Sequence, residues 1–309
     1  MKDKTNSNLY HAHLHILEKD NEIFEKNKSN SFADKILFDS FDSYISEIKG
    51  EIRNEDAKHP LCDFLEMRLK GHCVDNGTIP LNMLANITLN ISNLIQRATH
   101  KLTNGRDSQK VSNEIKELLN LRLTNVLPGS TRLGISLNTG QSELFETIPS
   151  TAMKEIFSLL ESGSDDSFME QVAEIGFRAA QSLRNIIIEC EKNDVTFSLN
   201  WTGPFSNNNE AIVSKEKINI FKERLTSTKI GQPYEDILSG ELAILSKYGK
   251  LEVEIGGEHI KASYPIDMLD IFRDRCKVGN HIRLLVEITE IQNVHLGINK
   301  QNIFVKQIM

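Results

Sequence analysis

The last quarter of the chain, residues 234–309, carries the pattern that most constrains the fold. Five short segments alternate apolar and polar residues as β-strands do, and a helical segment, Asp267–Arg275, separates the third from the fourth. The five segments read ILSGELAIL, KLEVEIG, EHIKASY, HIRLLVEIT and NIFVKQI. The pattern therefore predicts five strands with one helix between the third and the fourth.

The order of these elements resembles the OB-fold, a small barrel of five strands with a helix between the third and the fourth. The resemblance covers residues 234–309 and rests on element order. It implies that single-stranded nucleic acid would bind to the second and third strands through aromatic and basic side chains. An SH3-like barrel is the alternative, and it would lack the helix at this point.

The candidate binding residues of the barrel follow from this resemblance. Two tyrosines flank the sheet and three lysines lie nearby: Tyr248, Tyr264, Lys247, Lys250 and Lys261. The second strand also carries Glu252 and Glu254, which would repel phosphate. We therefore expect a barrel that binds protein or serves the fold alone, with binding of single-stranded nucleic acid as the alternative.

Residues 61–228 predict an α+β domain that precedes the barrel. A mixed or antiparallel sheet is expected from a strand at 62–70, a hairpin at 119–138 and a strand at 195–201. The helices that cover it are predicted at 81–102, 150–161, 167–192 and 214–225. In the first of these helices the apolar residues at helical spacing include Leu89.

Two further segments complete the predicted organisation. Residues 1–60 form a polar lead with one short amphipathic helix. Residues 226–233 contain Gly231 and Pro233 among small polar residues, which predicts an exposed hinge before the barrel domain at 234–309.

Gly129-Ser130 lies at the turn of the predicted hairpin. Nucleotidyltransferases of the polymerase-β type also open with Gly-Ser, followed by two aspartates that hold magnesium. Ser136 and Asn138 stand at those positions here, so a turn is favoured and a degenerate transferase is the alternative.

The middle and last regions also resemble an uncharacterised class of bacterial proteins with a Gly-Ser hairpin and a C-terminal barrel. This likeness implies the fold and no chemistry.

Other motifs give weaker indications of metal chemistry. An H-x-H-x-H run could bind zinc, but no Cys or carboxylate cluster is placed to complete the site. Two E-x-K matches are typical of metal-dependent nucleases, but both lie in segments with helical spacing, whereas that chemistry needs a strand. The four cysteines lack the close pairing of a structural zinc site. We therefore expect no catalytic residue, no metal ion and no cofactor. The residues concerned are His11, His13, His15, Glu47, Lys49, Glu114, Lys116, Cys62, Cys73, Cys190 and Cys276.

Composition narrows the classes of partner. The 309 residues carry 36 basic and 43 acidic side chains, a net charge of −7, which disfavours a nucleic-acid partner. The sequence contains neither a membrane-length apolar run nor a signal-peptide core, and the cysteine usage fits a reduced compartment. A cytoplasmic protein that does not engage membranes is expected.

Trp201, the single tryptophan, ends a predicted strand beside a loop and is a candidate for recognition. The overall hypothesis is a non-catalytic accessory or adaptor protein that binds another protein or itself, in a setting such as a bacterial or phage multi-protein system. Binding of single-stranded nucleic acid and a metal-dependent nuclease or transferase remain the alternatives.

Overall fold

Two β-sheets, one open and one closed, organise the chain. The computed structural model describes residues 63–74, 77–108, 110–127, 131–140, 147–202 and 209–309. The fold is α+β, with helices on the open sheet and a C-terminal barrel, as the sequence predicts. Among the described helices, none is both long enough and apolar enough to span a membrane.

The open sheet has five strands in the order β2-β3-β1-β4-β5, and each neighbouring pair is antiparallel. The predicted strand, hairpin and second strand therefore share one sheet, as expected. The strands are β1 (Asp63–Lys70), β2 (Arg122–Leu127), β3 (Arg132–Leu137), β4 (Thr196–Thr202) and β5 (Asn209–Val213).

Six helices accompany this sheet, and a large apolar core forms between the two layers. Their apolar residues recur at the three- and four-residue spacing that places them on one side of a helix. The helices are α1 (Leu81–Asn104), α2 (Asn113–Leu119), α3 (Ile148–Glu161), α4 (Asp165–Ile175), α5 (Phe177–Lys192) and α6 (Lys215–Ser227).

The segment predicted as one helix over 167–192 is two helices, because the chain breaks at Gly176. Gly176 has φ +90°, and a Cβ at this position would lie 2.5 Å from a carboxylate oxygen of Asp107. Asp107 also accepts a hydrogen bond from the backbone N–H of Arg178 at 3.4 Å, within the first turn of α5. Asp107 is distant in sequence, so periodicity alone could not reveal the break.

One local prediction in this layer was wrong, and one strand was not predicted. Leu119 was placed in the first strand of the hairpin, but it ends α2, and β2 begins only at Arg122. The strand β5 was not predicted. It is five residues long and pairs with β4 from Asn209 to Val213.

The barrel contains the five predicted strands in the predicted order. The strands lie in the order β11-β9-β8-β7-β10, and pairing of β10 with β11 closes the ring. Helix α7 (Leu269–Arg275) lies between the third and fourth strands, which agrees with the OB-like order. The strands are β7 (Tyr234–Ser246), β8 (Lys250–Ile255), β9 (Glu258–Ser263), β10 (His281–Asn293) and β11 (Ile298–Ile308).

Gly240 allows β7 to pair on both of its sides. A Cβ on this residue would collide with the carbonyl oxygen of Glu254 and lie 2.8 Å from a methyl group of Val253, both on β8. A register shift follows between Leu242 and Ile244. Together the glycine and the bulge bend the strand into the curve that a closed barrel needs.

The predicted hinge at 226–233 is not a free linker. Helix α6 continues to Ser227, and Thr228–Ile230 forms a strand, β6, that pairs with β10. The N–H of Gly231 then donates to the carbonyl oxygen of Glu290 at 2.8 Å. The ladder along β10 therefore runs from β6 into β7 and ties the segment to the barrel.

Side chains of the barrel also enter the layer that precedes it. Ile291 of β10 belongs to the apolar core of the open sheet, and Ile298 packs against that core. The Ser263 hydroxyl donates to the carbonyl oxygen of Gly105 at 2.9 Å, where α1 ends. The barrel and the open sheet therefore share a packed boundary.

Candidate protein-contact surface

Helix α1 has a buried side and a solvent side of unlike composition. Its buried side supplies Met83, Ile87, Ile91, Leu94, Ile95 and Ala98 to the core. On the opposite side, Leu81, Ala85 and Leu89 follow one another at four-residue spacing and are exposed. Residues four apart lie on one face of a helix, so these three form a continuous apolar stripe, here called the α1 stripe.

Leu89 lies on the helix that its spacing predicts, and it belongs to the exposed stripe and not to the core. It is 59% exposed, and Leu81 is 81% exposed. The core side of α1 is already filled by residues centred on Ile87 and Ile91, and Leu89 points away from them. A second set of apolar residues at 81, 85 and 89 was the signal in the sequence that could have identified the stripe.

The segment of α1 that carries the stripe contains no charged residue. Residues 81–96, which read LNMLANITLNISNLIQ, contain no Asp, Glu, Lys or Arg, although these make up 26% of the whole chain. The exposed neighbours of the stripe are amides such as Asn82 and Asn86. This part of α1 is therefore a solvent-exposed helix face that carries no charge of its own, and the charge beside it is the carboxylate of Glu189 on α5.

Polar contacts with α5 fix the orientation of α1. Asn86 donates to the carboxylate of Glu189 at 3.1 Å, and Asn185 donates to the side-chain oxygen of Asn90 at 3.1 Å. About two turns before the end of α1, Arg97 donates to the hydroxyl of Ser182 at 3.0 Å. These contacts lie beside the stripe, so they hold it toward solvent without covering it.

A second surface lies on the barrel, where lysines from three adjacent strands meet helix α4. We call Lys300 of β11, Lys261 of β9 and Lys250 of β8 the lysine row. Their ammonium groups lie 3.4, 3.6 and 2.6 Å from the carboxylates of three α4 residues spaced four apart: Asp166, Glu170 and Glu174, respectively. The face of β8 and β9 that nucleic acid would occupy in an OB-fold is thus engaged within the molecule.

The loop between β10 and β11 is engaged as well. The imidazole of His295 lies 2.9 Å from the carboxylate of Glu223 on α6. Asn293 donates to the backbone carbonyl oxygen of Arg224 at 2.8 Å and to the hydroxyl of Thr228 at 3.0 Å. In OB-folds this loop also contributes to ligand binding, whereas here it contacts the preceding layer.

The aromatic candidates from the sequence fall into two groups. Trp201 and Tyr264 are fully buried, so neither ring is available to a partner. The hydroxyl of Tyr264 donates to the backbone carbonyl oxygen of Ser246. Tyr248 is 39% exposed, and the ammonium group of Lys247 lies 5.0 Å from the centre of its ring. The structure does not bring Trp201 together with the barrel residues.

Trp201 takes part in a buried polar cluster beneath the open sheet. Its indole N–H donates to the carboxylate of Asp63 at 3.1 Å, and the backbone N–H of Thr139 donates to the same carboxylate at 3.1 Å. The Thr139 hydroxyl completes the cluster. Burial raises the pKa of Asp63, and the three hydrogen bonds oppose that rise. The cluster supplies hydrogen-bond donors to the buried carboxylate of Asp63, which is a structural role.

Lys101 forms a second buried polar contact, between α1 and the barrel. Its ammonium group donates to the carbonyl oxygen of Gly105 at 2.6 Å and to the side-chain oxygen of Asn302 at 2.8 Å. Burial lowers the pKa of Lys101 to about 8, opposed by the negative charges of Asp107 and Glu174. Both acceptors belong to the fold, so this lysine joins two parts of the molecule.

One exposed pair has the residue types of a nucleophile and its base. The Ser239 hydroxyl and the Nε2 atom of His281 lie 3.1 Å apart on the outer side of β7 and β10. Nucleophilic catalysis also needs a group that orients the histidine and donors that stabilise an oxyanion. Among the described residues, no further hydrogen bond joins Ser239 or His281 to a group that could orient the imidazole or stabilise an oxyanion. We therefore assign no catalytic role to this pair.

The metal and thiol motifs have separate outcomes. Glu114 and Lys116 lie on helix α2, as their spacing predicts, and not on the strand that a nuclease would need. Among the described residues, no group of three or more His, Cys, Asp or Glu side chains could hold a metal ion. Burial raises the pKa of the Cys190 thiol to about 12, and Cys276 is also buried.

Several sequence motifs fall outside the described residues. These are the histidine run, the first E-x-K match, Cys62 and Gly129-Ser130. Comparison of the chain with protein-family models, with curated proteins and with solved structures found no match. The functional argument therefore rests on the surfaces described above.

Proposed function

We propose that this chain is a non-catalytic accessory protein that acts through protein–protein contact, and that the α1 stripe is its contact surface. The observation that carries the proposal is the exposure of Leu81 and Leu89 around Ala85 on a helix face without charges. Exposed apolar side chains that adjoin one another are typical of surfaces that another protein covers. The partner surface is apolar and uncharged, because such a surface loses no solvated charge on contact.

Nucleic-acid binding receives less support from the arrangement of charges. Each member of the lysine row already lies within 3.6 Å of a carboxylate on α4. A phosphate backbone would have to displace these acidic groups and approach Glu252 and Glu254 on the same strand pair. Protein contact is the function that we carry forward.

The test compares the apparent size of the tagged wild-type chain with that of its variants in an extract of the cells that produce it. We expect the wild-type chain to migrate in a complex larger than its 35.0 kDa monomer. Leu81→Glu/Leu89→Glu should abolish that complex, because two carboxylates would be buried without partners. Leu118→Glu, at an exposed leucine on α2, is the matched control and should leave the complex intact.

Two results would contradict the proposal. One is a wild-type chain that migrates as a monomer both in the extract at its native concentration and after the extract is concentrated. The other is a complex that survives the double substitution as well as the control, which would place the contact elsewhere.

A further inference from the structure

We infer that the partner on the α1 stripe is a second copy of this chain, docked as an antiparallel pair of α1 helices around Ala85; this inference rests on the proposed function. Three features carry it: the charge of the surface, the symmetry of the stripe and the length of the uncharged helix face. Each limits the occupant in a different way.

The charge of the surface suits contact between identical copies. A twofold interface places the same patch of both subunits together, so every charge at its centre meets an equal charge. The chain carries a net charge of −7, and two copies repel each other over most of their surface. Residues 81–96 contain no charged residue, so the two α1 segments bring no like charges of their own together. The carboxylate of Glu189 beside them accepts a hydrogen bond from Asn86.

The symmetry of the stripe also suits a twofold pair. Leu81 and Leu89 each lie four residues from Ala85, one on either side. When two copies of α1 align antiparallel about Ala85, Leu81 of each copy meets Leu89 of the other. The small side chain of Ala85 then allows the two helices to approach closely at the axis, as ridge-and-groove packing requires.

The length of the face sets the strength of the contact. Sixteen helical residues extend over about 24 Å, at roughly 1.5 Å per residue. A single pair of helices of this length buries less surface than the roughly 800 Å² per partner of a standard stable interface. The dimer is therefore weak and reversible, and its population depends on protein concentration.

The experiment uses the purified full-length chain, so that no other protein can supply the contact. Light scattering and sedimentation over a wide concentration range should show a reversible monomer–dimer equilibrium. Leu89→Glu should raise the apparent dissociation constant about tenfold or more, since the substitution places a charge at two symmetric positions. Leu118→Glu should leave the constant unchanged. Unchanged far-ultraviolet circular dichroism and melting would show that each variant is folded.

A disulfide trap tests the geometry independently. In Ala85→Cys the new thiols face each other across the axis, so mild oxidation should yield a covalent dimer. Ile220→Cys, at an exposed position on α6, should yield none above the background of the wild-type chain treated in the same way. Adding Leu89→Glu to Ala85→Cys should suppress the cross-link.

The outcomes separate this inference from the proposed function. A purified chain that stays monomeric at every concentration, while the complex in the extract still depends on Leu81 and Leu89, overturns the second copy as partner and leaves protein contact standing. A dimer that forms equally well with Leu89→Glu overturns the α1 geometry. Monomers in both the purified sample and the extract overturn both proposals.

Discussion

The α1 stripe and the lysine row are surfaces of opposite character. The lysine row has the charges that sequence reasoning associates with binding, yet each of its members contacts a carboxylate of α4. The α1 stripe has no charged residue, and its leucines remain exposed. The difference teaches that residue type alone does not mark a binding surface, because charged groups also serve contacts inside a molecule.

The energetic basis of the two surfaces differs as well. The lysines of the row keep 37% to 68% of their side-chain surface exposed, so solvent screens their ion pairs. Helix α4 is held in place chiefly by its other side, where Phe168, Met169, Val172 and Ile175 are buried. Apolar packing therefore determines the position of α4, and the charged contacts with the lysine row add little to it.

The largest expected effect is at the buried side of α4. Phe168 is fully buried, its ring centre lies 6.0 Å from that of Phe221, and the guanidinium of Arg224 lies 5.3 Å from its ring centre. Phe168→Ala should lower the free energy of unfolding by about 3–5 kcal/mol, from lost burial and a residual cavity. Urea denaturation measures this, with Asp166→Asn on the same helix as the control. A loss similar to that of the control would mean that the charged side holds α4.

The next effect concerns Lys101, the buried lysine at the barrel boundary. The folded chain releases its proton at about pH 8, while the unfolded chain retains it to about pH 10.5. The unfolded state therefore binds more protons between these values, and the free energy of unfolding should rise with pH across that interval. At about 1.4 kcal/mol per pKa unit, the interval from about pH 8 to about pH 10.5 corresponds to a rise of about 3–4 kcal/mol.

Comparison with Lys101→Met isolates this contribution from other groups that titrate in the same range. Both chains are denatured between pH 7 and pH 10.5. The free energy of unfolding of Lys101→Met minus that of the wild type should fall as the pH rises, because only the wild type gains stability when this lysine loses its proton. A constant difference would show that Lys101 titrates alike in the folded and unfolded states, and that its ammonium group is as well solvated as those of the lysine row.

A smaller effect is expected at Trp201, the residue that the sequence marked for recognition. Trp201→Phe keeps most of the apolar burial but removes the N–H that donates to Asp63. We expect a loss of about 1–3 kcal/mol in the free energy of unfolding, because a buried carboxylate loses a donor. Self-association measured by light scattering should stay unchanged. An altered dimer constant in a fully folded variant would make Trp201 part of a contact surface.

The smallest effect is expected at the lysine row itself. Lys250→Gln, Lys261→Gln and Lys300→Gln should each change the free energy of unfolding by less than about 1 kcal/mol, as exposed ion pairs do. Lys277→Gln, on the loop before β10, is the control. Added salt should weaken the wild-type contribution further. A large loss at any one of the three lysines would make the row a main support of the barrel.

The sequence predicted the order of the barrel strands correctly, because each strand carries its own alternation of apolar and polar residues. The predicted helices 81–102 and 214–225 agree with α1 and α6 to within two residues at each end, where local signals lie: Gly105 follows the last residue of α1, and the Ser214 hydroxyl caps α6. The break at Gly176 was missed because its cause is Asp107, a residue of another segment. The strand β5 was missed because five residues carry too little pattern.

The candidate site was less accessible to sequence reasoning than the fold. The spacing of Leu81, Ala85 and Leu89 places them on one face of α1, but spacing alone does not show whether another element covers that face. The packing of α3 and α5 against the other side of α1 leaves it exposed. Trp201 and Tyr264 are of residue types that are common at binding surfaces, and both are buried. Whether an aromatic ring is buried or exposed depends on the elements that pack beside it.

Apart from β5, β6 and the helix break at Gly176, the amino-acid sequence by itself determined which segments become strands and helices, and it determined that residues 81–96 carry no charge. These are local properties, set by the spacing of side chains along a few turns or a single strand. The tertiary structure alone decided that the lysines of the barrel are paired and that the α1 stripe is open. Lys250 and Glu174 are 76 residues apart in the chain, and only the packing of α4 against the closed barrel brings such groups together.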